Sequence, residues 1–194
     1  MFIQFFMNKK QRILLSTLEL VVKQGFHATP MSQIAREANV AIGTIYHYFR
    51  NKEHIIDELY MMIYKDFGTV SLANIKDELP FKTKFEMLWL NLYTYFVSNP
   101  LAFQFAEFVG HPPLVSKETI EKTKPYNNEI VAFCLKGIEL GIIRNTHIKL
   151  IIQMIYGNII SAVRLKERNE LAMNDEQISQ LIKMSWDSVR NIKD

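Results

Sequence analysis

The sequence predicts an all-α protein of about nine helices, and three observations carry that expectation. Apolar residues recur at steps of three and four almost throughout, the spacing of one helical face. Glycine and proline are scarce, seven and six in 194 residues, whereas an all-β chain of this length needs many more turn residues. The segment richest in β-branched residues puts Ile148, Ile151, Ile152, Ile155, Tyr156, Ile159, Ile160 and Val163 on a helical period and not an alternating one.

Each element follows from local signals. Ile13, Leu14, Thr17, Leu20 and Val21 form the buried stripe of a first helix, which Gly25 ends with Phe26 folding back on the last turn. Thr29-Pro30 marks the next start, a hydroxyl to cap free N–H groups and then an imino acid at the first helical position. A short helix is therefore expected from about Pro30 to Ala38, and Asn39 takes the left-handed conformation of a tight turn. A third helix runs from Ile42 to Phe49, and Asn51 caps a fourth that extends from Lys52 to about Phe67. Pro80 opens a fifth with Phe85, Leu88, Trp89, Leu92, Tyr93 and Phe96. Asn99-Pro100 breaks it, and a short aromatic helix follows with Phe103, Phe105 and Phe108. Helices over Lys117 to Leu140, over the isoleucine segment and over Asp175 to Ile192 complete the count. No internal repeat or low-complexity tract interrupts them.

Composition narrows the function classes. Residues 1 to 52 carry seven Lys and Arg against two acidic residues, while the rest of the chain is slightly acidic. That asymmetry fits a polyanionic partner for the first part, and it fits a solvated basic surface equally well. The single cysteine, Cys134, excludes an internal disulfide and a Cys-rich zinc site, and it reads as a small buried hydrophobe. The five histidines (27, 47, 54, 111, 147) are scattered without metal-ligand spacing, and there is no phosphate-binding glycine loop. No catalytic set emerges, so no enzyme, cofactor or metal is expected. The short apolar start precedes its charges, the reverse of a secretory signal, and Met7 is a second candidate start. No uninterrupted apolar run approaches the 18 or so residues of a membrane span. A cytoplasmic protein without a membrane partner is expected.

The segment that carries chemistry is residues 30–49, PMSQIAREANVAIGTIYHYF, which reads as a helix-turn-helix. Ile34 and Ala35 face inward, Ala35 being small enough for a close helix crossing, and Val40 plugs the corner. Ile45 and Phe49, four apart, pin the second helix to the core. Thr44, Tyr46, His47 and Tyr48 are left around the outward side, all able to donate hydrogen bonds. The helix start at Gly43 exposes backbone N–H groups suited to a phosphate. A plain helical hairpin satisfies the same core constraints, so spacing alone leaves both readings open.

The stretch from Arg12 to Glu53 resembles the DNA-binding domain of TetR-family transcriptional regulators. The matching pieces are IL at 13–14, GF at 25–26, IAREANV at 34–40, GTIYHYF at 43–49 and NKE at 51–53. The resemblance implies a helix-turn-helix domain over 7–67 and a helical effector-binding and dimerisation domain over 68–194, joined by the fourth helix. It implies that Thr29, Ser32, Thr44, Tyr46, His47, Tyr48 and Lys52 touch double-stranded operator DNA. Of these, Thr29, Tyr48 and Lys52 would hold phosphates, with Thr44 and Tyr46 nearest base edges. Ala41-Ile42 stand where the family often has Ser-Lys. One cationic contact is thereby missing, and Ala41 and Ile42 are free to meet thymine methyl groups.

The later helices divide between core and function. Gly157, Ser161 and Ala162 lie beside the isoleucines of 148–163, so a second helix can approach there. With Ile178, Leu181, Ile182, Ser185 and Val189 of the last helix, that stripe makes either intramolecular core or a four-helix contact in a symmetric pair. The family resemblance favours a homodimer, with Ile152, Tyr156, Gly157, Ile160, Ile178, Leu181 and Ser185 at its interface. Met61, Met62, Trp89, Tyr93, Phe96, Phe103 and Phe108 each read individually as core. As a group they line a cavity for a small hydrophobic or aromatic effector, with Glu86 and Glu107 available to a cationic one. The favoured function is a dimeric, effector-released repressor on an inverted-repeat operator. The rival is an all-helical lipid or drug carrier, or an adaptor, whose basic end serves membranes or proteins.

Overall fold

The computed structural model describes residues 8–192; the Met7 start lies outside them. Among the described residues there are nine helices and no strand, only an isolated antiparallel bridge between Ile143 and Arg190. The helices are α1 (Lys9–Gln24), α2 (Met31–Glu37), α3 (Ile42–Tyr48), α4 (Lys52–Ser71) and α5 (Phe81–Ser98), then α6 (Pro100–Phe108), α7 (Lys117–Glu139), α8 (Ile148–Glu167) and α9 (Asp175–Val189).

Packing divides the chain into two units, and the division does not follow the order of the sequence. One unit holds the described residues up to Tyr64 together with Asn99–Thr123; the other holds Lys65–Ser98 and the described residues from Lys124 onward. The expected division at residues 67 and 68 therefore differs from the packing, because α6 and the first turns of α7 bury with the amino-terminal helices. The reason is that α1 has a broad apolar face, with Ile13, Leu14, Leu18, Leu20 and Val21 all buried, and α6 lies against it.

In the first unit, α1 begins at a reciprocal cap. The Asn8 side chain accepts from the Gln11 amide at 2.9 Å, and the Gln11 side chain accepts from the Asn8 amide at 2.9 Å. Gly25 ends α1 at φ 84° and ψ 161°, a conformation open to glycine and little else. α2 corrects one expectation. Its N-cap is Pro30, without a side-chain cap, and the Thr29 hydroxyl instead donates back to the Gly25 carbonyl at 2.8 Å. Asn39 takes the left-handed turn conformation at φ 50°. The Asn51 side chain caps α4 by accepting from the His54 amide at 2.9 Å. Ser116 heads α7, and its own amide donates to the Asp57 carboxylate of α4 at 2.9 Å.

The second unit is built on aromatic residues. Phe81 stacks on Phe133 at 4.4 Å, the Phe85 ring meets Trp186 edge-on at 5.1 Å, and Trp89 stacks on Tyr93 at 5.4 Å. The Trp89 indole N–H donates to the Asn158 side-chain oxygen at 2.9 Å, which fixes α5 to α8. Gly68 of α4 lies against the Tyr126 backbone, where a side chain would collide with the carbonyl. α8 packs on α5 and α9 through Ile151, Ile155, Ile159, Ile160, Ala162 and Val163. Among the described helices α8 alone is long and apolar enough to cross a membrane, and that isoleucine face contributes much of its apolarity.

Candidate nucleic-acid interface

α2, the turn and α3 form a hairpin whose inner face belongs to the core. Ile34 and Ile45 are wholly buried, as are Ala35, Ala38 and Phe49 nearly so. The turn closes through the Val40 amide on the Ala35 carbonyl at 3.0 Å and the Asn39 amide on Arg36 at 3.1 Å. With Ile45 and Phe49 buried, the remaining residues of α3 face outward. Ile42 is 47% exposed, Tyr46 54% and Tyr48 37%; Gly43 and His47 are exposed and Thr44 half-buried. The hydroxyls of Thr44, Tyr46 and Tyr48 make no hydrogen bond among the described residues, while the His47 and Tyr48 rings brace one another edge-on at 5.1 Å. Ala41 and Ser32 are also exposed. A short helix with a methyl-bearing start, two phenols and an imidazole offers both apolar and hydrogen-bonding contact to base edges and phosphates.

Two expected phosphate ligands turn inward. Thr29 is fully buried and its hydroxyl is committed to Gly25. The Lys52 ammonium donates to the Phe26 carbonyl at 2.6 Å and the Thr29 carbonyl at 2.9 Å, and it sits 4.1 Å from the centre of the Phe26 ring. Desolvation there holds its pKa below the ordinary lysine value, with Glu53 opposing the shift. No local pattern announces this role, because the partners lie more than twenty residues upstream. The Gln24 amide group, also unnoticed in the sequence, donates to the Ala28 carbonyl at 2.7 Å and to the Gln33 side chain at 2.9 Å, tying α1 to α2. The basic excess is partly spent as well, since Lys10 pairs with Glu58 at 2.8 Å. Arg36, exposed beside the turn, pairs with Glu37 at 3.2 Å, and Arg50 is exposed just beyond α3.

The other expected sites separate by burial. Trp89, Tyr93 and Phe96 are buried in the second unit, and the Tyr93 hydroxyl has no hydrogen-bond partner there. Met61, Met62, Phe103 and Phe108 belong to the first unit; Phe103 is buried, whereas Met62 is 40% and Phe108 73% exposed. Phe108 therefore reads as surface and not as the wall of an enclosed cavity. Of the expected interface, Gly157 is exposed and Ile152, Tyr156, Ile178 and Leu181 are partly so. Ile160 and Ser185, also expected there, are 5% and 1% exposed and pack within the chain's own core. No group of His, Cys, Asp or Glu able to hold a metal occurs among the described residues.

A helix-turn-helix whose second helix is pinned by two apolar residues and otherwise presented to solvent defines a DNA-binding regulator. The model of bacterial regulatory proteins of the tetR family matches residues 13–59, and that of the tetracyclin repressor-like C-terminal domain matches 80–190. The chain belongs to the TetR family and is a DNA-binding transcriptional regulator. It is 28% identical over 172 residues to a fatty acid metabolism regulator protein of Bacillus subtilis, covering 87% of this chain and 86% of that one. An uncharacterized HTH-type transcriptional regulator of Haemophilus influenzae is 29% identical over 90 residues, 46% of this chain and 48% of that protein, so that match spans only about half of its length. The crystal structure of a TetR-family regulator from Shewanella sp. PV-4 superposes with a TM-score of 0.86 at 27% identity, over 95% of this chain and 99% of that one.

Proposed function

We propose that the protein is a cytoplasmic homodimeric repressor that grips an inverted-repeat operator through α3 and is released by a small hydrophobic effector. The observation that carries the DNA half is the outward face of α3. Thr44 and Tyr46 read bases, Ala41 and Ile42 meet thymine methyls, and Ser32, His47, Tyr48 and the Gly43 backbone hold the sugar-phosphate chain. Arg50, exposed just beyond α3, adds a phosphate contact. Two half-sites require two linked readers. The exposed side of α8, with Leu150, Met154, Gly157 and Ser161, supports pairing through that face, together with Met184 of α9.

The effector half rests on the aromatic interior of the second unit. A stacked Trp89–Tyr93 pair with a buried, unpartnered phenol suits a ligand that is apolar along most of its length and carries one hydrogen-bond acceptor. The name of the Bacillus subtilis relative, a regulator of fatty acid metabolism, supports an acyl chain. The test begins with selection of bound fragments from genomic DNA. A duplex carrying the recovered inverted repeat is expected to bind far more tightly than a scrambled duplex of equal length. Palmitate and palmitoyl-CoA, titrated into the complex, are expected to release it. Equal affinity for both duplexes refutes the operator reading, and an intact complex at saturating acyl ligand refutes the effector class.

A further inference from the structure

We propose that Lys52 is a positioning residue that clasps the helix-turn-helix, and not a phosphate ligand. The clasp rests on the reading of α3 as the DNA-contacting helix. Its two ends bracket the motif: Lys52 is the first residue of α4, three positions beyond Phe49, the last core residue of the hairpin, while Phe26 and Thr29 lie in the α1–α2 connection just before α2 begins. The whole of residues 30–49 is thus a loop closed by one ammonium group. The attachment is specific on both sides. Two of the three ammonium hydrogens are directed at carbonyls at 2.6 and 2.9 Å, and the charge sits above the Phe26 ring at 4.1 Å, a cation–π distance.

The receiving loop is itself fixed. Phe26 is 7% exposed, Gly25 supplies the positive φ, the Thr29 hydroxyl takes the Gly25 carbonyl, and Gln24 takes the Ala28 carbonyl. Every carbonyl from Gly25 to Thr29 apart from His27 is engaged by Lys52, Gln24 or Thr29. A lysine spent on phosphate would leave the Thr29 carbonyl without its donor and the Phe26 carbonyl with the Thr29 amide alone, at 3.2 Å. Through the clasp, the start of α4 sets where α2 begins, and through α2 the presentation of α3. Any rotation of α4 about its first turn is transmitted to both ends of the motif together.

The test compares Lys52→Met, which keeps the stem and removes the donors, with Lys52→Arg, whose guanidinium reaches carbonyls and stacks on a ring. Three readouts are taken on the full chain: the melting temperature, the amide resonances of Thr44 and Tyr46 in the free protein, and the salt dependence of binding to a mixed-sequence 30-base-pair duplex. For Lys52→Met the expectation is a melting temperature about 3–6 °C lower and displaced Thr44 and Tyr46 resonances, although neither residue touches Lys52. Affinity should fall roughly tenfold or more at every salt concentration, with an unchanged salt slope. Lys52→Arg should restore the resonances. A salt slope reduced by about one per subunit, with the free protein unaltered, makes Lys52 a phosphate ligand and overturns the proposal. A lower melting temperature with unmoved resonances reduces it to ordinary stabilisation and overturns it as well. If the wild-type chain fails to bind the duplex, the DNA reading fails, while the first two readouts still decide the clasp.

Discussion

Gly157→Leu separates pairing from folding. Gly157 lies inside α8, and beyond its chain neighbours and the adjoining helix backbone a Cβ there meets no heavy atom of the described residues within 4 Å. A leucine side chain thus enters open space in the single chain. Within the chain the substitution is favourable, because glycine in a helix interior is about 0.8–1.0 kcal/mol worse than alanine and leucine is close to alanine. A gain of about 0.7 kcal/mol in the stability of the monomer is expected. In a symmetric pair meeting on this face, the same leucine is forced between two helices that glycine allowed to approach. Overpacking costs typically about 1–3 kcal/mol, and two-fold symmetry counts it twice, hence about 2–6 kcal/mol of association energy. That corresponds to a dimer dissociation constant raised roughly 30-fold to 25,000-fold. Sedimentation velocity across a dilution series reads the association, and circular dichroism reads helix content and melting under conditions where wild type and variant are both monomeric. Loss of operator affinity should accompany loss of the dimer. An undisturbed dimer, or a monomer less stable than wild type, refutes the placement of the interface.

Four further outcomes are expected. Tyr46→Ala should relax operator preference by about 1–3 kcal/mol at one base pair while leaving the melting temperature unchanged, measured by competition among single-base operator variants. Phe49→Ala should cost about 3–5 kcal/mol in denaturant titration, because it empties a fully packed position beneath α3. Burial pushes the Cys134 thiol up to about 12, so at pH 8 it should resist alkylation in the native protein and react only after denaturation; native-state labelling at the free-thiol rate contradicts its placement. In a Trp186→Phe background, Trp89 emission should respond to palmitoyl-CoA over the same concentrations that release operator. A silent Trp89 removes it from the effector site.

How far the sequence was legible depended on the range of the interaction. The isoleucine helix, the Asn39 turn, the Asn51 cap and the Ile45–Phe49 anchor each rest on neighbours within a few residues, and each stands where spacing puts it. Thr29-Pro30 misled by one step, since a hydroxyl that caps forward can equally bond backward, and here Gly25 offers its carbonyl. Lys52 and Gln24 were illegible in their structural roles because their partners are set by tertiary folding. The same holds for α6, which joins the amino-terminal unit because α1 presents an apolar face that no later helix in sequence order announces. Burial also split one helix that spacing had treated as a single stripe: Ile160 went to the core and Gly157 to the surface, three positions apart.

That split in α8 has an evolutionary consequence. The residues that hold the helix to α5 and α9 lie on one side, and Leu150, Met154, Gly157 and Ser161 lie exposed on the other among the described residues. Mutations on the outer side therefore carry little folding penalty. For copies that pair through this face, as proposed above, two duplicated genes can acquire incompatible outer faces within a few substitutions and cease to mix, while their interiors remain interchangeable. A cell holding many related regulators needs such insulation, and this helix permits it without redesign of the fold.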